Sequence, residues 1–443
     1  MHITFGTDGI RTQVGKEPLT AATLVHIGIQ LGWWISHEKK NQKIVIAYDT
    51  RVSAHLIKSA LITGLVHYPI EIIDTGVLPT PALIYHITHK QSIYDMGIMI
   101  TASHNPFYDN GIKIITKKGK LTKTEELTLQ DLFNASPQMP SDYTLLGTIS
   151  YTPKSAKRYQ QAIIEKFPPL FLKNKHLVID CAHGAFSDIA PAVFQALGAT
   201  ITLIHAHPTG KNINHNAGSL HPESLKKIVL EKKADFGCAF DGDGDRLVLV
   251  SRQGIIKNGD DILALLLTHP RYIRESTIVG TIMSNQGLAH YCSQQKKTFI
   301  RTSVGDTHVH TAMKHYGTLL GGEPSGHCLI TDFTQTSDAL YTCLRVLEAA
   351  ILTKNFLLHT FNHYPQACIN MPINDKKDIT QSPYRDIIKQ QEAQLLRGRL
   401  LVRYSGTEPL LRIMVEDETQ EHAEEIAHNL ALNLSSSLQK EQT

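Results

Sequence analysis

Cysteine is scarce in this chain: Cys181, Cys238, Cys292, Cys328, Cys343 and Cys368 are the only six in 443 residues. None forms a CxxC. Cys328 follows His327, but no second pair joins them into a zinc pattern. Scattered thiols in a long chain exclude a disulfide scaffold and fit a reducing compartment. Long hydrophobic runs are also missing; no stretch of about 18 apolar residues is present to span a bilayer. The opening MHITFGTDGIR has neither the basic start nor the apolar core of a signal peptide. Charge of one sign is lacking too. Lys and Arg number 44 against 41 Asp and Glu, a formal charge of +3, with no long basic run. That is too little for a nucleic-acid footprint. The expectation is a soluble, cytoplasmic protein without nucleic-acid or membrane partners.

What is present is an ordinary globular composition, 42% hydrophobic and 19% charged. The length argues for two to four domains. Short β-rich runs alternate with helical patterns. Residues 43–49 (KIVIAYD), 70–74 and 96–101 read as buried strands, and Ser53 is placed to cap the helix that follows the first. Further strands are expected at 176–181, 200–204, 235–240 and 246–251, with a helix at 186–197. Strand 277–283 and helices 286–294 and 337–352 come next. Strands 399–404 and 411–416 precede a last helix that sets Ala423, Ile426, Leu430 and Leu434 on one face. The division expected is an α/β domain over 1–150, a second over 151–253, a third over 254–366, and a smaller α+β domain over 367–443.

The sharpest chemical signal is Asp241-Gly242-Asp243-Gly244-Asp245-Arg246, between two predicted strands. Three carboxylates at alternate positions repel one another unless a cation neutralises them. The glycines let the backbone curl so the oxygens converge. Hard oxygen ligands favour Mg²⁺. An EF-hand loop is rejected, because Arg246 stands where that loop needs Gly and Arg252 where it needs Glu. A solvated acidic turn is the bland alternative. Three carboxylates leave Mg²⁺ short of ligands, which calls for water and a phosphate.

Thr101-Ala102-Ser103-His104-Asn105-Pro106 supplies a candidate. Its Ser follows a strand, where α/β folds place ligands. A plain Ser/Asn/Pro turn accounts for the motif taken alone. Beside a metal loop that lacks a phosphate ligand, a covalently phosphorylated Ser103 is the better account. His104 is placed to position a phosphate or move a proton. Asp109-Asn110-Gly111-Ile112-Lys113 reads as a tight turn into another strand, with Lys113 either near the same phosphate or salt-bridged at the surface. The loop 321–327 (GGEPSGH) is expected to be flexible. It carries Glu323, Ser325 and His327, the donors and acceptors that adjacent sugar hydroxyls need. In Arg403-Tyr404-Ser405-Gly406-Thr407-Glu408-Pro409, the hydroxyls of Ser405 and Thr407, the backbone at Gly406 and nearby Arg412 make a phosphate cradle. It is not a P-loop, and a hairpin with incidental Arg is its alternative. FGTDGIR at 5–11 places Arg11 after a Gly-containing turn, which a structural hairpin explains equally well.

In their order along the chain, the five motifs resemble those of the α-D-phosphohexomutase superfamily, over essentially the whole chain. The stretches TDGIR (7–11), DNGIK (109–113), NIN (212–214) and GSLHPE (218–223) are similar to its phosphoglucosamine branch. The resemblance implies four domains around a central cleft. It also implies phospho-Ser103, and Mg²⁺ held by Asp241, Asp243, Asp245 and the Ser103 phosphate, one ion per subunit. Glu323, Ser325, His327 and Arg246 would meet the phosphosugar. Arg403, Ser405, Gly406, Thr407 and Arg412 would hold its non-reacting phosphate. Ser103, His104, Arg11 and Lys113 would serve the chemistry. The activity implied is interconversion of glucosamine 6-phosphate and glucosamine 1-phosphate through glucosamine 1,6-bisphosphate, in amino-sugar metabolism. A homodimer is allowed. Mannose or glucose phosphates as substrates, a non-catalytic phosphosugar-binding protein, and a Mg²⁺-dependent phosphatase are the competing readings. Two stretches depart from the superfamily: VGDRYV becomes VGDTHV at 304–309, and TTGDG becomes TQTSDA at 334–339, losing both glycines.

Overall fold

The computed structural model describes residues 3–6, 8–38, 42–137, 139, 142–405 and 409–440. Gly406, Thr407 and Glu408 of the expected phosphate loop lie outside the described residues, as does Thr7. The chain forms two compact units. The first is Met1–Ile282 with Ile300–His359; the second is Met283–Phe299 with Thr360–Thr443.

In the first unit, a seven-stranded mixed sheet runs in the order Ile10–Gln13, Asp109–Thr116, Met96–Ile100, Lys43–Tyr48, Glu71–Val77, Thr148–Tyr151, with Gly119–Lys120 paired to Asp109–Thr116. Its central strands read as unbroken apolar runs because both faces are covered. Helices Ala21–Glu38 and Ala54–Leu65 supply much of that cover. A five-stranded sheet follows, in the order Ile256–Lys257, Leu247–Ser251, Phe236–Phe240, His176–Asp180, Thr200–Ile204. Phe236–Phe240 and Leu247–Ser251 are antiparallel, so the acidic run 241–246 is a hairpin connection. The four-stranded sheet Thr298–Thr302, Thr277–Thr281, Leu320–Gly322, Cys328–Ile330 has its own hairpin at 323–327. The second unit holds a three-stranded antiparallel sheet of Gln366–Pro372, Leu410–Glu416 and Arg399–Tyr404. Helix Gln420–Lys440 packs Ala423, Ile426, Leu430 and Leu434 onto it, as their spacing predicts.

Several local expectations need correction. Ser53 is itself helical and makes no capping bond; its Oγ accepts from Asn110 Nδ2 at 2.9 Å. The helix expected over 186–197 starts later, at Ile189–Ala196, because 184–188 turn tightly and Ser187 Oγ donates to Gly184 O at 2.7 Å. The helix expected from 337 is Ala339–Leu352, capped by Asp338, which accepts from Tyr341 N at 3.0 Å. Residues 109–113 are not a turn. They lie inside strand Asp109–Thr116, paired on both sides. Helix Lys123–Asn134 escaped notice although Thr122 and Glu125 form a capping box there.

Helix Thr80–Thr88 shows how burial sets a pH limit. His86 Nε2 donates to Ser155 O at 2.8 Å, so that nitrogen carries a proton. Burial, despite this bond, lowers its pKa to about 4. Below the ordinary value the unfolded chain takes up a proton that the fold refuses. The His86 contribution is therefore full above about pH 6.5 and is lost as the pH falls towards 4, up to about 3 kcal/mol. Urea unfolding between pH 7 and 4 should show a shallower pH dependence for His86→Gln than for the wild type; parallel curves would contradict this account.

Candidate active site

Ser103 follows strand Met96–Ile100 and takes a left-handed backbone, φ +51°. An L-residue enters that region at a cost of roughly 1–2 kcal/mol, so its surroundings must enforce it. Its N–H donates to Thr101 Oγ1 at 2.9 Å, and Thr101 in turn donates to buried Asp49 at 2.6 Å. Ser103 is 2% exposed, and its Oγ donates to Asp241 Oδ2 at 2.8 Å across 138 sequence positions. Asp245 Oδ1 lies 3.5 Å from the same hydroxyl. Asn105 Nδ2 donates to Asp109 Oδ2 at 3.0 Å.

Asp241, Asp243 and Asp245 are buried and each offers an oxygen within 4.8 Å of the others. The two glycines between them differ in purpose. Gly244 has φ +78° and allows the curl. Gly242 provides space: a Cβ there would stand 2.8 Å from Ser103 O. Asp241 Oδ1 accepts from the backbone N–H groups of Gly244, Asp245 and Arg246 at 3.0–3.1 Å. Burial and the neighbouring carboxylates Asp245 and Asp243 nonetheless push its pKa well above the ordinary range. Asp243 Oδ1 is buried with no hydrogen-bond partner among the described residues. Crowded buried carboxylates and an orphaned oxygen are the environment that a hard divalent cation satisfies, so the triplet fits a metal ion such as Mg²⁺.

A ring of charge surrounds the triplet. Lys113 is buried, not at the surface, and its Nζ lies 2.9 Å from Asp243, 3.4 Å from Asp245 and 2.8 Å from Asp8. Asp8 also pairs with Arg11 and, at 2.6 Å, with Lys120, which pairs with Asp306. His327 closes the ring, its Nε2 3.5 Å from Asp306 and its Nδ1 3.7 Å from Asp245. Burial opposes the charge on His327, but Asp245 and Asp306 outweigh it and raise the pKa to about 10. Burial likewise works against ionised Asp245, yet Lys113, His327 and Arg246 hold it well below the usual range. His104 differs: burial, then Arg246 and Arg11, lower its pKa to about 4, and its Nδ1 lies 3.3 Å from Ser103 Oγ.

A cavity of about 190 Å³ opens here, lined among others by Ser103, Asp245, Arg246, Asp306, Glu323 and His327. Arg11 and Arg246 each bury an Nε that has no partner among the described residues, donors suited to phosphate oxygens. Loop 323–327 is a bonded hairpin instead of a flexible span. Glu323 N donates to His327 O, Gly326 N to Glu323 O, and Leu247 N to Gly326 O, at 3.0–3.1 Å. Glu323 Oε1 accepts from Gly305 N at 2.7 Å, whereas Ser325 is exposed.

The two departing stretches keep their hold on this site. In TQTSDA, Ser337 Oγ donates to Asp245 O at 2.6 Å and Asp338 accepts from Tyr159 OH at 2.8 Å. In VGDTHV, Asp306 sits in the ring, while Thr307 and His308 are exposed. Arg403, Ser405 and Arg412 belong to the second unit. Arg403 and Arg412 are directly opposite across their strands. Ser405 O accepts from Lys376 Nζ at 3.2 Å.

Sequence reasoning missed Asp8, Lys120, Asp306, Thr80 and Ser337. Asp8 and Asp306 lie inside stretches already singled out. Lys120 and Thr80, which donates to Asp243 Oδ2 at 2.7 Å, carried no local signal.

Four sequence models of phosphoglucomutase/phosphomannomutase match: α/β/α domain I over residues 2–138, domain II over 157–254, domain III over 258–366 and the C-terminal domain over 369–433. A phosphoglucosamine mutase of Zymomonas mobilis is 37% identical over 437 residues, 96% of this chain and 97% of that protein. The chain belongs to the phosphoglucomutase/phosphomannomutase family. A phosphoglucosamine mutase of Acinetobacter baumannii is 38% identical over 438 residues, again 96% and 97% of the two chains. A solved family member from Burkholderia thailandensis shares the fold with a TM-score of 0.80 at 23% identity, over 98% of each chain. So does Aspergillus fumigatus N-acetylphosphoglucosamine mutase in complex with GlcNAc-6P and magnesium. Its TM-score is 0.67 at 16% identity, over 99% of this chain and 96% of that one. The resemblance read from the five motifs, and the α/β architecture with a smaller α+β end, therefore hold for this member of the family.

The triplet's electrostatics give a direct test. In wild type, Mg²⁺ added to the EDTA-treated protein should raise Tm by a few degrees, since it binds the folded state alone. Asp241→Asn should leave the Tm in EDTA unchanged or higher, because the carboxyl it replaces resists ionisation, and should abolish the Mg²⁺ shift. A retained shift would show that Mg²⁺ binds elsewhere.

Proposed function

We propose that this chain is a phosphoglucosamine mutase that carries the phosphoryl group on Ser103. The carrying observation is the 2.8 Å contact between Ser103 Oγ and Asp241, which sets a buried hydroxyl against the carboxylate triplet. The substrate preference is supported by relatives of that name at 37–38% identity over nearly the full chain.

Asp241, Asp243 and Asp245, together with the Ser103 phosphate, would hold one Mg²⁺. When bound, that ion supplies charge neutralisation at the transferring phosphoryl group. The O1 hydroxyl of glucosamine 6-phosphate attacks phosphorus. The bond to Ser103 Oγ breaks, the bond to O1 forms, and the proton leaves O1 as Oγ regains one. The product, glucosamine 1,6-bisphosphate, turns over in the site. Its 6-phosphate returns to Ser103 and glucosamine 1-phosphate leaves. His104, neutral near pH 7 and 3.3 Å from Oγ, is placed to exchange the serine proton. Arg11 and Arg246 bind phosphate oxygens with their buried Nε donors. Lys113 and His327 keep the acidic triplet's charge balanced through each transfer. Glu323 and Ser325 take sugar hydroxyls. Arg403, Ser405, Gly406, Thr407 and Arg412 hold whichever phosphate is idle. Segments 1–150, 151–253, 254–366 and 367–443 each contribute one of these loops. The protein is assigned to the cytoplasm, in keeping with free cysteines, five of them buried, and no helix long and apolar enough to cross a membrane among the described residues.

Peptide mapping should find phosphate on Ser103 after incubation with glucosamine 1,6-bisphosphate, and Ser103→Ala should lose at least about a thousandfold in kcat. Assays on glucosamine, glucose and mannose 6-phosphates side by side should favour glucosamine. Preference for another hexose reassigns the substrate, inorganic phosphate release matching substrate loss makes the protein a phosphatase, and binding without turnover removes the enzymatic reading.

A further inference from the structure

The left-handed backbone at Ser103 needs something to hold it, and the groups that do so touch neither the hydroxyl nor the cavity. Arg51 is among the largest fully buried side chains of the protein. Its Nη2 donates to Ser103 O at 2.9 Å and to Asn105 O at 2.8 Å. Its Nη1 donates to Pro106 O and, at 3.1 Å, to Asp109 O. Its Nε donates to Asp49 Oδ2 at 2.9 Å. Asp49 also receives Thr101 Oγ1, which accepts the Ser103 N–H. The N–H and the C=O of Ser103 therefore both trace back to one buried ion pair. Such a pair contributes little net stability, because desolvation offsets its attraction. Its donors are spent instead on the carbonyls of a single loop.

Asn214 reaches the same two carbonyls from another sheet. It lies in the loop after strand Thr200–Ile204, and its Nδ2 donates to Ser103 O at 2.8 Å and to Asn105 O at 3.1 Å. Its own backbone is left-handed, φ +59°, a conformation Asn tolerates better than most residues, and its N–H donates to Ala182 O at 2.9 Å. Gly242, between the first two carboxylates, leaves the gap for this contact. A Cβ there would stand 2.8 Å from Ser103 O and 2.9 Å from Asn214 Nδ2. The serine loop and the acidic loop are thus registered against each other at the point where Oγ meets Asp241.

We propose that Arg51 and Asn214 are positioning residues that clamp the Ser103 and Asn105 carbonyls and so aim the serine hydroxyl at the acidic triplet. This rests on the reading of Ser103 as phosphoryl carrier. A misplacement of about 1 Å at a reacting atom can cost about a hundredfold in rate. Arg51 variants strand Asp49 and threaten the fold, so Asn214 is the residue to change. Asn214→Gly keeps the backbone conformation and deletes the amide. Asn214→Asp keeps shape but turns a donor into an acceptor facing two carbonyls.

With glucosamine 6-phosphate and saturating Mg²⁺, kcat should fall about 10–100-fold in Asn214→Gly and further in Asn214→Asp. KM should stay within about twofold and Tm within a few degrees. The ³¹P resonance of phospho-Ser103 should shift in both variants. Wild-type kcat in both, a KM rise that matches the loss, or loss of fold in both overturns the clamp. Wild-type protein that carries no phosphate on Ser103 after treatment with glucosamine 1,6-bisphosphate overturns the carrier reading instead. A phosphorylated wild type with indifferent Asn214 variants removes the clamp alone.

Discussion

Three carboxylates packed out of water within one short hairpin are unfavourable by themselves, and the surrounding structure is arranged around that fact. The backbone offers Asp241 three N–H groups, Thr80 and Lys113 take Asp243, and Lys113 and His327 face Asp245. The compensation is incomplete, since Asp243 Oδ1 is left without a partner among the described residues. That orphaned oxygen, beside two carboxylates that face a serine hydroxyl, makes the site suited to a divalent cation and a phosphoryl group together.

The same need ties distant segments together. Lys113 and Lys120 come from strands of the first sheet and Asp8 from the turn before it, Asp306 opens helix Asp306–Tyr316 and His327 ends the third sheet's hairpin, and each pairs with the next around the triplet. Partners in such a ring depend on one another, because removing one leaves its neighbours buried and uncompensated. The departures from the superfamily's sequences leave this ring's contacts in place. Ser337 replaces a glycine yet bonds Asp245 O, and Thr307 and His308 replace larger residues where the chain faces solvent.

The nucleophile loop follows a second logic. A left-handed serine is locally unfavourable, and its conformation is fixed by hydrogen bonds that converge on its two peptide groups from Thr101, Arg51 and Asn214. Nothing in the six-residue motif reveals this, because two of those partners lie well outside it.

The sequence by itself determined ten of the strands and five of the helices, those whose apolar runs and periodicity are strongest locally, and it determined the chemistry on offer: an acidic hairpin, a serine after a strand, a Glu/Ser/His loop. It misjudged Ser53 and residues 109–113, where a side chain or strand found a tertiary partner in place of the local one. Tertiary structure alone decided that Ser103 meets Asp241, that Lys113 is buried among carboxylates, and that His104 and His327 shift in opposite directions. Those outcomes depend on burial and on charges tens to hundreds of positions away, and neither quantity is written in a residue's near neighbours.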